Sequence, residues 1–163
     1  MAVIVNAFRT PIGKFGGSLA DTLPEELVSL VMKNNLSSAG YTSEIVDEII
    51  VGQTKQSAHA PNIARVAGLK AQFSERIPAY TVHRQCGSGM QAVMNGAMSI
   101  LSGQAEVVLA GGVESMSQAP HYTVGTRFGF HVGDLTLYDS NTESQPKSQP
   151  ETLYGTFTMG QTA

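Results

Sequence analysis

One cysteine, Cys86, and no tryptophan occur among the 163 residues, and only 14% of them are charged. A lone cysteine excludes an internal disulfide framework and suits a reducing compartment, so the cytoplasm is the expected location. The charge balance, 10 Lys and Arg against 13 Asp and Glu, leaves a net charge of −3 and makes no case for nucleic acid. The charged fraction falls well short of the usual quarter. That shortfall fits a chain with much surface buried against another domain or subunit. Met1 to Ala7 has no basic start and too short an apolar stretch for a signal peptide. The longest uncharged run, Gln85 to Ala105, is broken too often by Gly, Ser, Gln and Asn to span a membrane. No metal, no permanently bound cofactor and no membrane partner are expected.

What is present centres on the stretch Ala79 to Ala92. Strand-like residues, Ala79 to His83, lead to Cys86, and Gly87 and Gly89 flank Ser88 before a long run begins. In that run the polar residues Gln91, Asn95 and Ser99 recur every four positions, and Met90, Val93, Met94, Ala97, Met98 and Leu101 fill the other faces. The pattern predicts a helix with one narrow polar line, buried on most sides. A thiol at the first turn of such a helix faces unpaired N–H groups and the positive end of the dipole, which favour the nucleophilic thiolate. Gly87 and Gly89 have no Cβ, so a substrate can approach their backbone, and the Cys86 amide is placed to donate to an oxyanion. Acyl transfer through a thioester suits this arrangement. Two other readings stand beside it. A single cysteine next to an apolar helix is commonly a small buried hydrophobe. The run Gly87 to Ala92 also fits G-x-G-x-x-G/A, a dinucleotide fingerprint that wants an acid about 20 residues on. Glu106 lies too early in the next strand for that role, and Glu114 lies beyond its end.

In chain order, Val3 to Phe8 reads as a first buried strand, followed by a Pro- and Gly-punctuated loop from Arg9 to Leu19. Arg9 and Lys14 are candidate anion ligands there, against the plainer reading of a solvated loop. Pro24, Glu25 and Glu26 open a helix that Gly40 ends. Ile45 to Val51 is a strand, Pro61 to Gly68 a shorter helix with His59 just before it, and Glu106 to Ala110 a further strand. Strands alternating with helices predict an α/β fold with a largely parallel sheet and right-handed crossovers. Ligands sit at the carboxyl ends of strands in such sheets, where Cys86 and the Gly111-Gly112 turn fall. From Ala119 the period is lost, and the polar stretch Asp139 to Thr152 reads as an exposed or mobile loop. Tyr154 to Ala163 looks like the lead into another helix, and an ending there suggests a part of something longer.

Three segments together, Arg9 to Gly17, Cys86 to Ala92 and Gly111 to His121, resemble the amino-terminal half of a thiolase, an acetyl-CoA acyltransferase. The likeness runs through the whole chain. It implies a thiolase-like fold with only the first of two similar halves present: residues 1–118 as the α/β domain and 119–163 as the start of the loop domain that covers CoA. It implies that Cys86 accepts the acetyl group of an acyl-CoA and that its amide helps hold the oxyanion. Acetyl-CoA would be substrate, for condensation to acetoacetyl-CoA or for thiolysis of a 3-ketoacyl-CoA in fatty acid metabolism. Met159, in a Met-Gly-x-Thr-Ala pattern, would line the acyl pocket. Val132-Gly133-Asp134 would lie in a stretch tied to tetramer assembly, and the strand before Cys86 would pair across a subunit two-fold, giving a homodimer or homotetramer. The family's second-half Gly-His-Pro histidine, which activates the nucleophile, its Asn-Glu-Ala-Phe asparagine and its second cysteine, which moves the proton at the acetyl carbon, are not among these residues, so the resemblance implies little turnover by this portion alone. His83 stands where the family often has Asn, and Thr158-Met159 where it often has His-Met. Two alternatives remain open: a ketoacyl-synthase type of condensing enzyme, and a non-catalytic truncated module that only dimerises.

Overall fold

Helix α1, Pro24–Ser38, begins where proline occupies the first turn and two acids face the positive end of the dipole. It ends in the paired bonds of a Schellman motif: Gly40 N–H donates to the Ser37 carbonyl and Tyr41 N–H to the Leu36 carbonyl. Gly40 takes the left-handed φ of +76° that this cap requires. The computed structural model describes residues 1–163, which form two compact units, Met1–Gln118 and Ala119–Ala163.

In the first unit, strand β1, Glu48–Gly52, is central. It pairs in parallel with β2, Ala79–Val82, on one side and with β3, Val108–Gly112, on the other. The run Ile49-Ile50-Val51 is buried throughout, because a central parallel strand is covered on both faces and needs no polar alternation. Ile49 and Val51 join Val28, Met32 and Leu36 of α1 and Ile63, Ala64 and Ala67 of α2, Ile63–Lys70, in one core. Helix α2 is capped by Asn62, whose side-chain oxygen accepts from Arg65 N–H. Ile50 points to the other face, under helix α3, Ser88–Leu101.

The structure departs from two expectations here. Helix α3 is not buried on most sides. It buries only the stripe Ser88, Ala92 and Gly96, while Met94 and Met98 are 51% and 63% exposed. A three-stranded sheet covers one face of a helix, and a stripe of small residues lets that face come close: a Cβ at Gly96 would already lie 3.1 Å from Val108 Cγ1. The predicted strand Val3 to Phe8 is absent as well; these residues carry no regular structure, and Ile4 is 79% exposed. A strand exists only through its ladder, and this segment has no strand beside it. Asn6 ties it to α1, donating to the Asn35 carbonyl and the Ser38 hydroxyl at 2.7 Å each.

In the second unit, β4, His121–Tyr122, pairs antiparallel with β5, Tyr138–Asp139. The expected open loop from Asp139 is instead a chain of short turns: α4, Ser140–Glu143, a 3-10 turn at Pro146–Ser148, and α5, Glu151–Tyr154. Side chains stabilise them locally. Asp139 caps α4 by accepting from Asn141 N–H at 2.8 Å, Lys147 pairs with Glu143, and its ammonium lies 5.0 Å from the Tyr138 ring centre. The short α6, Met159–Thr162, starts with a capping box between Thr158 and Gln161. No helix is long and apolar enough to cross a membrane.

Candidate active site

Cys86 lies between the end of β2 and the start of α3, one residue before the N-cap Gly87. It is therefore just outside the first turn rather than in it, and it is exposed. The turn that presents it is tightly bonded. Gly87 N–H donates to the Arg84 carbonyl and Ser88 N–H to the Gln85 carbonyl, both at 3.0 Å. The buried Ser88 hydroxyl accepts from Arg84 N–H at 2.8 Å and donates to the Gln85 carbonyl at 2.6 Å. Gln85 holds a φ of +48°, a left-handed conformation that costs a side-chain-bearing residue on the order of 1–2 kcal/mol. The surrounding bonds hold the turn against that cost.

Three glycines bring α3 onto the strand ends. A Cβ at Gly52, the last residue of β1, would lie 2.5 Å from the Gly89 amide nitrogen and closer still to the Ser88 carbonyl. A Cβ at Gly112, the last residue of β3, would lie 2.9 Å from Gly89 Cα. Gly89 thus packs against β3, where a Cβ of its own would meet Gly112 Cα at an ordinary 3.5 Å, so it is the missing Cβ of Gly112 that the contact needs. A Cβ at Gly87 would meet the Arg84 carbonyl at 3.4 Å. The polar line along α3 also finds partners. Arg84 donates to Gln91, Gln91 to Asn95 at 2.7 Å, Asn95 to the Tyr80 hydroxyl at 3.3 Å, and Ser99 to Glu48 at 3.1 Å.

The roles of two residues, Thr54 and Glu114, in holding the turn before Cys86 escape a reading by sequence alone. Glu114, beyond β3, accepts Thr54 N–H on one carboxylate oxygen at 2.9 Å and Lys55 N–H on the other at 3.0 Å. Thr54 in turn donates its hydroxyl to the Gln85 carbonyl at 3.1 Å. These bonds give Glu114 a role in joining the strand ends, apart from the ribose contact that the dinucleotide reading would ask of it. The signal that could have found the pair is two apolar strands that both end in glycine, Ile49 to Gly52 and Val108 to Gly112, each with a polar residue two positions beyond that glycine.

The loop after Phe8 and the segment after β3 meet at a groove of about 380 Å³, lined by Arg9, Lys14, Phe15, Leu19, Glu114 and Met116 among others. Gly16 N–H donates to the Ser117 hydroxyl at 3.0 Å, and the Gln118 side chain donates to the Ala20 carbonyl. Cys86 does not line this groove. In the second unit Met159 is the exposed first residue of α6, and its amide donates to the Gln145 side chain at 3.3 Å. No group of three or more His, Cys, Asp or Glu side chains is arranged to hold a metal ion.

A parallel sheet covered by helices, with an exposed cysteine on a left-handed turn at its carboxyl end, defines an α/β protein of the class that binds ligands at that edge. Comparison with known proteins narrows the class. A family profile described as "Thiolase, N-terminal domain" matches residues 2–163. An acetyl-CoA acetyltransferase of Cupriavidus necator is 48% identical over 138 residues, covering 85% of this chain and 35% of that protein. A probable acetyl-CoA acyltransferase of Staphylococcus aureus is 38% identical over the same coverage. The crystal structure of the Bacillus anthracis acetyl-CoA acetyltransferase superposes with a TM-score of 0.84 at 41% identity, over 88% of this chain and 36% of that one. The chain belongs to the thiolase family. It spans about a third of the length of these relatives.

Proposed function

We propose that this chain is the nucleophile-bearing portion of an acetyl-CoA acetyltransferase, with Cys86 as the residue that accepts the acetyl group. The observation that carries the reading is the exposed Cys86 on a bonded, left-handed turn at the carboxyl end of a parallel sheet, directly before a helix. The Cys86 thiolate attacks the thioester carbonyl of acetyl-CoA, and its own amide donates to the oxyanion that forms. The new bond joins Sγ to the acetyl carbon. Collapse of the intermediate breaks the carbon–sulfur bond to CoA, which leaves as a thiolate and takes up a proton. Carbon–carbon bond formation to acetoacetyl-CoA, or thiolysis in reverse, then needs a base at the second substrate. The resemblance assigns that base to the half of the family not represented in these residues.

The second unit, residues 119–163, is the start of the domain that covers CoA, and Met159 contributes to the acyl pocket on this reading. Gly87 contributes close backbone approach for the thioester, and Gly89 does so only on the side away from β3. Copies associate through the free edge of β2, which pairs with β1 alone, and a homodimer or homotetramer results. A cytoplasmic setting fits the single free thiol. Incubation of the folded intact protein that carries this portion with acetyl-CoA, followed by peptide mass mapping, should place acetyl on the peptide that contains Cys86. A folded sample with unmodified Cys86 overturns the reading. A truncated dimerisation module is distinguished by the same experiment, since it associates but takes no acetyl.

A further inference from the structure

We propose that Thr54 and Glu114 are positioning residues for Cys86, acting through the carbonyl of Gln85. The proposal rests on the reading of Cys86 as the nucleophile. Gln85 is the residue immediately before Cys86 and carries the left-handed φ of +48°. The orientation of its carbonyl fixes the peptide plane that contains the Cys86 amide, because the C=O and the following N–H belong to one planar unit. Whatever holds the Gln85 oxygen therefore aims the proposed oxyanion donor.

That oxygen is held from two directions. From its own turn it takes Ser88 N–H at 3.0 Å and the Ser88 hydroxyl at 2.6 Å. From across the sheet it takes the Thr54 hydroxyl at 3.1 Å. Thr54 is in turn fixed by Glu114, whose two carboxylate oxygens take the N–H groups of Thr54 and Lys55 at 2.9 and 3.0 Å. The three residues come from the three strand ends: Thr54 follows β1, Gln85 follows β2 and Glu114 follows β3. The network thus ties the peptide plane before the cysteine to the whole carboxyl edge of the sheet. Ser88 alone ties it only to the helix that follows. The role is one of aim, so it predicts a change in acyl transfer rather than in the bare reactivity of the thiol.

Valine is close in shape to threonine and lacks only the hydroxyl, so Thr54→Val removes the one bond. In the intact protein that carries this portion, acetyl transfer from acetyl-CoA to Cys86 should slow about 5-fold, the effect of one typical hydrogen bond. Alkylation of Cys86 by iodoacetamide should stay within about 2-fold of wild type, and the thermal midpoint should hold. Thr54→Ser should restore transfer. Glu114→Gln keeps one acceptor and should slow transfer in the same direction. Wild-type transfer rates in both Thr54→Val and Glu114→Gln overturn the proposal. So does a parallel fall in transfer, alkylation and thermal midpoint, which marks a structural role alone. A wild-type chain that takes no acetyl overturns the nucleophile reading and this inference with it.

Discussion

Gly52→Ala is the sharpest perturbation of the seat on which Cys86 depends. The added methyl carbon would lie 2.5 Å from the Gly89 amide nitrogen and nearer to the Ser88 carbonyl. Ordinary contact is about 3.5 Å or more, so α3 must retreat from β1 by about 1 Å. The atoms in the way are backbone, and no rotamer change relieves them. Overpacking a well-packed site costs about 1–3 kcal/mol, and a clash with fixed backbone belongs at the upper end. At about 2–4 °C per kcal/mol for a chain of this size, the thermal midpoint should fall by about 6–12 °C. The matched control is Gly111→Ala, one residue from the end of β3, where an added Cβ meets nothing within 4 Å. That change should shift stability by no more than about 0.5 kcal/mol. Differential scanning fluorimetry on the two variants reads the contrast directly. A Gly52→Ala midpoint equal to wild type, or equal losses in the two variants, would refute the close-approach reasoning.

Other outcomes follow from the same geometry. Met98→Lys should change stability by less than about 0.5 kcal/mol in this chain, since Met98 is largely exposed, whereas Ala92→Met on the buried stripe should cost about 1–3 kcal/mol by chemical denaturation. Ile63→Ala, at a fully buried position between α2 and β1, should cost about 2–5 kcal/mol by urea titration. Asp47 accepts the N–H groups of Val107 and Glu106, which hold its carboxyl below the ordinary 3.8. A depressed carboxyl stabilises the fold above pH 3.8, and that contribution is lost as pH falls through the lower folded-state value. The stability gap between wild type and Asp47→Asn should therefore be full at neutral pH and narrow in strong acid, read from melts across a pH series.

Elements whose signals are local are legible in the sequence. Pro24 with Glu25 and Glu26 marks the start of α1, and Gly40 marks its end, because caps and dipole contacts involve residues only a few positions apart. The apolar runs at β1 and β3 and the helix after Cys86 are legible by the same kind of evidence. The segment Val3 to Phe8 has strand composition too, yet a strand is a relation to a neighbour, and composition cannot supply one. For α3, periodicity identifies an apolar surface but not what covers it, so a helix apolar on most faces was expected to be buried there. Its polar line illustrates the same limit. The spacing of Gln91, Asn95 and Ser99 is plain in the sequence, while their partners Arg84, Tyr80 and Glu48 come from other segments. Thr54 and Glu114 lie 31 and 29 positions from Gln85 and Gln85's turn converges with them only once the sheet forms. Gly52 likewise looks like a loop glycine until α3 is laid across it.

Acetyl uptake by Cys86 is the measurement closest to the centre of this account. Peptide mass mapping after incubation of the folded intact protein with acetyl-CoA should find acetyl on the Cys86 peptide and none in Cys86→Ala. An unmodified Cys86 in wild type, with acetyl absent or spread over other side chains, would contradict it.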